Sequence, residues 1–195
     1  IGLLLFGLIW LNIENLVAFL NWISHKEGGG YEALAPIVFI MGLAKLIDLA
    51  TGVNGQIIGT SNYWRFDFFT NLFYIVLSIP LNFYLISNYS LIGLAYSNLA
   101  ALTLYNSVRF LFLYKKFKLQ PYTLQHGLFL IISIALMFII YIIPSTSNFV
   151  INIAIKSSLY LLGFYTLIIW VNPAPELKEL VQGFLKNKLF GFLRR

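Results

Sequence analysis

The stretch LIGLAYSNLAALTLYNSVRFLFLY, residues 91–114, is followed at once by KKFK, residues 115–118. Its 24 residues carry one charge, Arg109. A helix needs about 20 apolar residues to cross a hydrocarbon core of ~30 Å. A basic cluster directly after such a run marks a cytoplasmic exit, because Lys and Arg are retained on the inner face. Five further apolar runs lie at residues 1–20, 33–58, 66–86, 124–143 and 149–171, separated by Gly, Pro, Asn, Ser and short charged clusters. The pattern predicts an all-α membrane protein with a bundle of six transmembrane helices.

Composition excludes the main alternatives. Mean hydropathy is +0.83, with 59% hydrophobic and 10% charged residues, far from a soluble domain of this length. Helices are expected because a backbone in lipid must satisfy its own hydrogen bonds. An outer-membrane barrel would alternate in segments of about ten residues, a pattern absent here. The chain has no cysteine, which removes disulfides and thiolate metal sites. A net charge of +6 suggests nucleic acid in a soluble chain, but here the charge sits at loop ends and reads as inner-face bias.

Ten of the thirteen basic residues fall on one side of alternating loops: Arg65, Arg109, Lys115, Lys116, Lys118 and five in the tail. Lys26 alone lies on the other side, and Lys45 and Lys156 fall inside spans. This places the basic side and the C-terminus in the cytoplasm. Residues 175–195 change character: Leu177, Leu180, Val181, Phe184, Leu185, Leu189, Phe192 and Leu193 recur at helical spacing beside Lys178, Lys186, Lys188, Arg194 and Arg195. An amphipathic helix lying in the interface on anionic lipid is expected there, with a partner-binding helix as the alternative. Ile1 opens inside an apolar run without Met or a basic leader, so the chain reads as a piece of a longer one.

Several polar residues interrupt the spans. Lys45 and Asp48, three residues apart, share one helix face, either as a neutralised structural pair or as the lining of a watery cavity. Gly52, Gly55 and Gly59 lie on nearly the same face, and the Gly55–Gly59 spacing permits close helix packing. In the third span Asp67, Asn71, Tyr74, Ser78 and Asn82 form a stripe at steps of three and four, interrupted by an expected kink at Pro80. Such a stripe faces protein or water, through interhelical hydrogen bonds or along a polar pathway. Arg109 in the fourth span and Lys156 in the sixth are further intramembrane cations, whereas the fifth span is almost purely apolar and expected to face lipid. His25 and His126 lie apart with no carboxylate pair or phosphate loop, so no enzyme, catalytic residue, metal site or cofactor is expected.

The segments Leu34–Asn62, LAPIVFIMGLAKLIDLATGVNGQIIGTSN, and Ser90–Tyr114 resemble the C-terminal half of polysaccharide flippases of the multidrug/oligosaccharidyl-lipid/polysaccharide exporter superfamily. The resemblance rests on Thr51-Gly52 before a short turn, and on Gly93 and Ala95 before a basic exit. It implies one lobe of a twelve-helix transporter in a bacterial inner membrane, paired with an N-terminal lobe of the same chain. The implied substrate is a lipid-linked oligosaccharide for cell-surface polysaccharide, moved without covalent chemistry. A diphosphate-bearing substrate calls for cavity cations: Lys45 first, then Arg65, Arg109 and Lys156, with Asp67 and Asn71 as polar neighbours. A drug antiporter of the same superfamily would instead use Asp48 for a coupling monovalent cation. A membrane scaffold or enzyme subunit is the remaining class.

The orientation is testable in whole cells. A cysteine replacing Lys116 is expected to be shielded from impermeant thiol reagents, and one replacing Ser147 to react. The reverse pattern inverts the topology, and protection at both removes the sixth crossing.

Overall fold

The computed structural model describes residues 1–24, 31, 33–119, 122–146 and 148–172. Among them the chain is all helical, with six helices and no strand: α1 (Gly2–Ile23), α2 (Leu34–Thr51), α3 (Val53–Gly59), α4 (Trp64–Phe117), α5 (Leu124–Tyr141) and α6 (Phe149–Val171). The amphipathic helix expected over 175–195, the Gly28–Gly30 loop with His25 and Lys26, and Pro121, Ser147 and Pro173 lie outside the described residues. Five of the helices, all but α3, are long and apolar enough to cross a membrane. Their outward side chains agree: Phe69, Ile131, Phe138, Leu162 and Trp170 are all well exposed. Large apolar surface on every side suits lipid and not water.

α4 is not one rod. Its 54 residues would extend about 81 Å at ~1.5 Å per residue, more than twice a bilayer core. Ser90 breaks it with φ 55 and ψ −141, the one non-helical residue inside it, and the chain turns back on itself. Asp67 meets Arg109, Asn71 meets Tyr105, and the Phe66 and Phe112 rings stack at 3.9 Å. These pairs make α4 an antiparallel hairpin with arms 64–89 and 91–117. The backbone runs through Pro80, where a kink is expected, with helical φ/ψ; the turn at Ser90 falls in Asn88-Tyr89-Ser90, between the third and fourth apolar runs, where the sequence places it. Gly93 allows the arms to touch, because a Cβ at that position would overlap the Leu85 carbonyl.

The run expected as one span over 33–58 is divided. Thr51 Oγ1 donates back to the Ile47 carbonyl at 2.9 Å, and the Gly52 N–H donates to the Leu49 carbonyl at 3.4 Å. Back-bonding of this kind loosens the ladder and bends a helix. α2 therefore ends at Thr51 and α3 resumes at Val53. α2 and α3 both lie against the α4 hairpin.

The remaining helices build a second group. α1 and α6 run antiparallel, tied by Tyr160 Oη donating to the Leu3 carbonyl (3.0 Å), Asn12 Nδ2 donating to Ser157 Oγ (3.0 Å) and Phe19 against Phe149. Leu11, Met137, Ile140, Tyr160 and Phe164 form the core between α1, α5 and α6. Tyr160 is fully buried, and Gly7 leaves the space its ring and hydroxyl fill. α5 thus has one face in this core and shows its other faces outward. Its first turn is capped by Thr123, whose N–H donates to His126 Nδ1 at 3.3 Å. Tyr122 just before it donates to the Ala50 carbonyl at 2.9 Å, and burial raises its phenol above the usual 10.0. α1 also carries α2, through Phe6 and Trp10 against Phe39.

The hairpin makes opposite demands at two neighbouring positions. Gly93→Ala is expected to cost about 1–3 kcal/mol by forcing the arms apart. Ser90→Gly relieves about 1–3 kcal/mol of left-handed strain, less about 0.5–1 kcal/mol of added chain entropy. Thermal unfolding of both variants in detergent is expected to move in opposite directions; a stable Gly93→Ala protein contradicts the close approach.

Candidate polar site between α2, α3 and the α4 hairpin

The site begins with a helix-borne guanidinium. Arg109 lies on the second arm of α4 and is largely buried. The hairpin sets it opposite Asp67, and Arg109 Nη2 donates to Asp67 Oδ1. Arg109 Nε also donates to Thr70 Oγ1 at 3.4 Å, and Thr70 Oγ1 in turn donates to the Asp67 carbonyl at 2.9 Å. The Tyr105 ring covers the guanidinium, 4.2 Å from Cζ to centroid. Each contact replaces water that the ion would lose in an apolar bundle.

Glycine makes the fourth wall. A Cβ on Gly55 would lie 2.8 Å from Arg109 Nη1, and one on Gly59 would lie 3.7 Å from Asp67 Oδ2. The two glycines of the small-residue face thus bring α3 onto the ion pair itself. Gly52 sits at the α2–α3 break, where a Cβ would meet only the preceding turn of its own helix.

Tyr105 passes the network outward. Its Oη donates to Asn71 Oδ1 at 2.7 Å, and Asn71 Nδ2 donates to the Asp67 carbonyl at 2.9 Å and to Asp67 Oδ2 at 3.2 Å. Tyr74 lies beside Tyr105, ring centroids 5.1 Å apart. One residue on, Asn106 Nδ2 donates to Asp48 Oδ1 at 3.3 Å. Asp48 Oδ2 accepts from Lys45 Nζ at 3.4 Å, and the Lys45 side chain is 65% exposed. Asp48, Asn71, Tyr74 and Tyr105 are also partly or well exposed. The result is a partly buried ion pair continuing into an open row of polar groups on the surface of the helices.

Not every expected residue joins it. Arg65 lies at the start of α4, its guanidinium 5.5 Å from the Trp64 ring centroid. Lys156 is in the other helix group, 4% exposed, with Nζ donating to Ser145 Oγ at 3.1 Å. Around it Asn152 Nδ2 donates to Asn15 Oδ1 at 3.3 Å and to the Thr146 carbonyl at 2.7 Å. Thr70 and Asn106 gave no signal in the sequence, because their roles depend on contacts between helices; the Gly55–Gly59 spacing announced close helix packing but not the ion pair it meets. The turn at 88–90 was the available clue: residues 67 and 109 stand nearly equidistant from it. Among the described residues no three His, Asp or Glu side chains converge on a possible metal position.

Coupling between the two charges is measurable. Arg109→Gln and Asp67→Asn are each expected to lower the yield and thermal stability of folded protein, since each leaves a partly buried charge alone. The double variant is expected to be less damaged than their sum by about 1–3 kcal/mol. Additive effects in the cycle are incompatible with the contact.

In comparisons with known proteins the chain matches no family model, and neither a curated protein nor a solved structure is found similar to it.

Proposed function

We propose that the chain is the C-terminal lobe of a flippase that carries a lipid-linked oligosaccharide across a bacterial inner membrane. In this reading the two arms of α4 are separate crossings, giving six with the α2–α3 unit counted once. The basic ends, and a basic helix over 175–195, face the cytoplasm. An N-terminal lobe packs across the polar row. The observation that carries the reading is Lys45, an exposed ammonium midway along an apolar helix, set among half-exposed Asp48, Asn71, Tyr74 and Tyr105. Lipid does not accept such a surface, whereas a wet cavity between two lobes does.

The cationic candidates inside the spans differ in burial and pairing. Arg109 is committed to Asp67 and Tyr105, and Lys156 is buried beneath the α5–α6 turn. Lys45 has one carboxylate contact on an exposed side chain and can turn toward a diphosphate. A reading in which Asp48 takes a coupling cation has a physical obstacle, because Lys45 Nζ and Asn106 Nδ2 already hold its two oxygens.

Complementation of a flippase-deficient strain by the whole gene tests this. Lys45→Ala is expected to abolish surface glycan at normal membrane abundance, and Lys45→Arg to retain it. Activity recovered in Lys45→Ala/Asp48→Asn makes the pair structural and removes Lys45 from the substrate path. Activity lost in Asp48→Asn and kept in Lys45→Ala favours the cation-coupled alternative.

A further inference from the structure

The folding back of α4 brings its two ends together, and with them four cations. Arg65 lies in the first turn, Lys115 and Lys116 in the last, and Lys118 caps the helix with φ 56 and ψ 22. All four side chains are exposed. The ion pairs among the described residues are Lys45–Asp48 and Arg109–Asp67, so no carboxylate of the described residues lies within 4.0 Å of any of these four. Lysines at a helix C-terminus are favoured by the backbone dipole alone. Arg65 is not: it stands at a helix N-terminus, where that dipole opposes a cation.

These charges rest on a platform of rings. Phe66 stacks on Phe112, and Tyr63 meets Phe112 and Phe117 edge-on at 5.4 and 5.8 Å. Lys116 Nζ sits 5.7 Å from the Tyr63 ring centroid, and Arg65 rests beside Trp64. Trp64 is 55% exposed, and Phe68 one turn along is 59% exposed. Trp and Tyr rings settle at headgroup depth, so Tyr63 and Trp64 suit these cations to the level of lipid phosphates.

We propose that this end of the α4 hairpin is a binding site for an anionic phospholipid. Its phosphate diester lies between Arg65 and Lys116, and its chains lie along Trp64 and Phe68. Charge complementarity chooses the headgroup: four clustered cations attract a lipid with net negative charge more strongly than a zwitterionic one, whose own cation offsets its phosphate. The proposal rests on the helices lying in a bilayer and is independent of any transported substrate.

Trp64 is a built-in reporter. The chain carrying Trp10→Phe, Trp22→Phe and Trp170→Phe keeps Trp64 alone and is placed in phosphatidylcholine nanodiscs. Brominated phosphatidylglycerol is then compared with brominated phosphatidylcholine as a quencher. Half-quenching is expected at a lipid fraction at least about fivefold lower for the glycerol headgroup, the effect of one cation near an anionic surface. The preference is expected to collapse in Arg65→Gln/Lys116→Gln, and in the parent at ~1 M salt, where the Debye length is about 3 Å. The salt arm reads the site even if the glutamine variant does not fold. Equal quenching by both lipids overturns the proposal, as does a folded glutamine variant that keeps the preference. Displacement of the lipid by about 10 mM inorganic phosphate would make this a free-anion site and overturn it as well.

Discussion

A guanidinium on an apolar helix has to find a carboxylate before that helix can lie in lipid, and Arg109 finds Asp67. Much of the α2–α4 group follows from this meeting. The arms of α4 must reverse at Ser90 for the two residues to face each other, and Gly93 must lack a side chain for the arms to close. α3 can approach because Gly55 and Gly59 present only backbone to the charges. Thr70 accepts from Arg109 Nε, and the Tyr105 ring covers one face of the guanidinium. Polar atoms here do what apolar packing does in a water-soluble protein, since lipid tails give helices little reason to prefer one another.

The α1–α5–α6 group meets the same constraint with less charge. Asn12, Asn15 and Asn152 form a layer of amides, and Lys156 extends its stem through the buried interior to reach exposed Ser145. The two groups thus treat lysine differently. Lys156 is drawn to a turn and shielded, while Lys45 is left on an open face beside Asp48. That contrast gives Lys45, and not Lys156, a surface on which a second lobe or a charged ligand can act.

Local spacing in the sequence revealed what depends on one helix. The long apolar runs predicted an all-helical chain with several helices able to cross a membrane, which the structure has. Three-residue spacing put Lys45 next to Asp48, where a 3.4 Å contact exists. Contacts between helices were hidden. Arg109 read as a free cavity cation because its partner is 42 residues away and only the turn register joins them. Pro80 drew the expected kink because proline lacks a donor, yet the backbone stays helical there; the chain turns at Ser90, in the Asn88-Tyr89-Ser90 stretch between two apolar runs. The interruption between α2 and α3 at Gly52 was silent, since the Thr51 hydroxyl beside it could as well have pointed elsewhere. The cap on α5 uses His126 where Glu or Gln is usual, so no motif announced it.

Sequence separation gives the two helix groups different histories during synthesis. The contacts that close the α4 hairpin join residues 34 to 42 apart, so they can form soon after the second arm emerges. Those between α1 and α6 join residues 137 to 157 apart. At roughly 5–20 residues per second, α1 therefore waits about 7–30 s with Asn12 and Asn15 lacking their partners on α6. During that interval its amide face needs a temporary host, either the insertion machinery or the passing hairpin. A ribosome stalled before residue 149 would hold the chain in this unpaired state, and α1 is the helix most exposed to proteolytic quality control there.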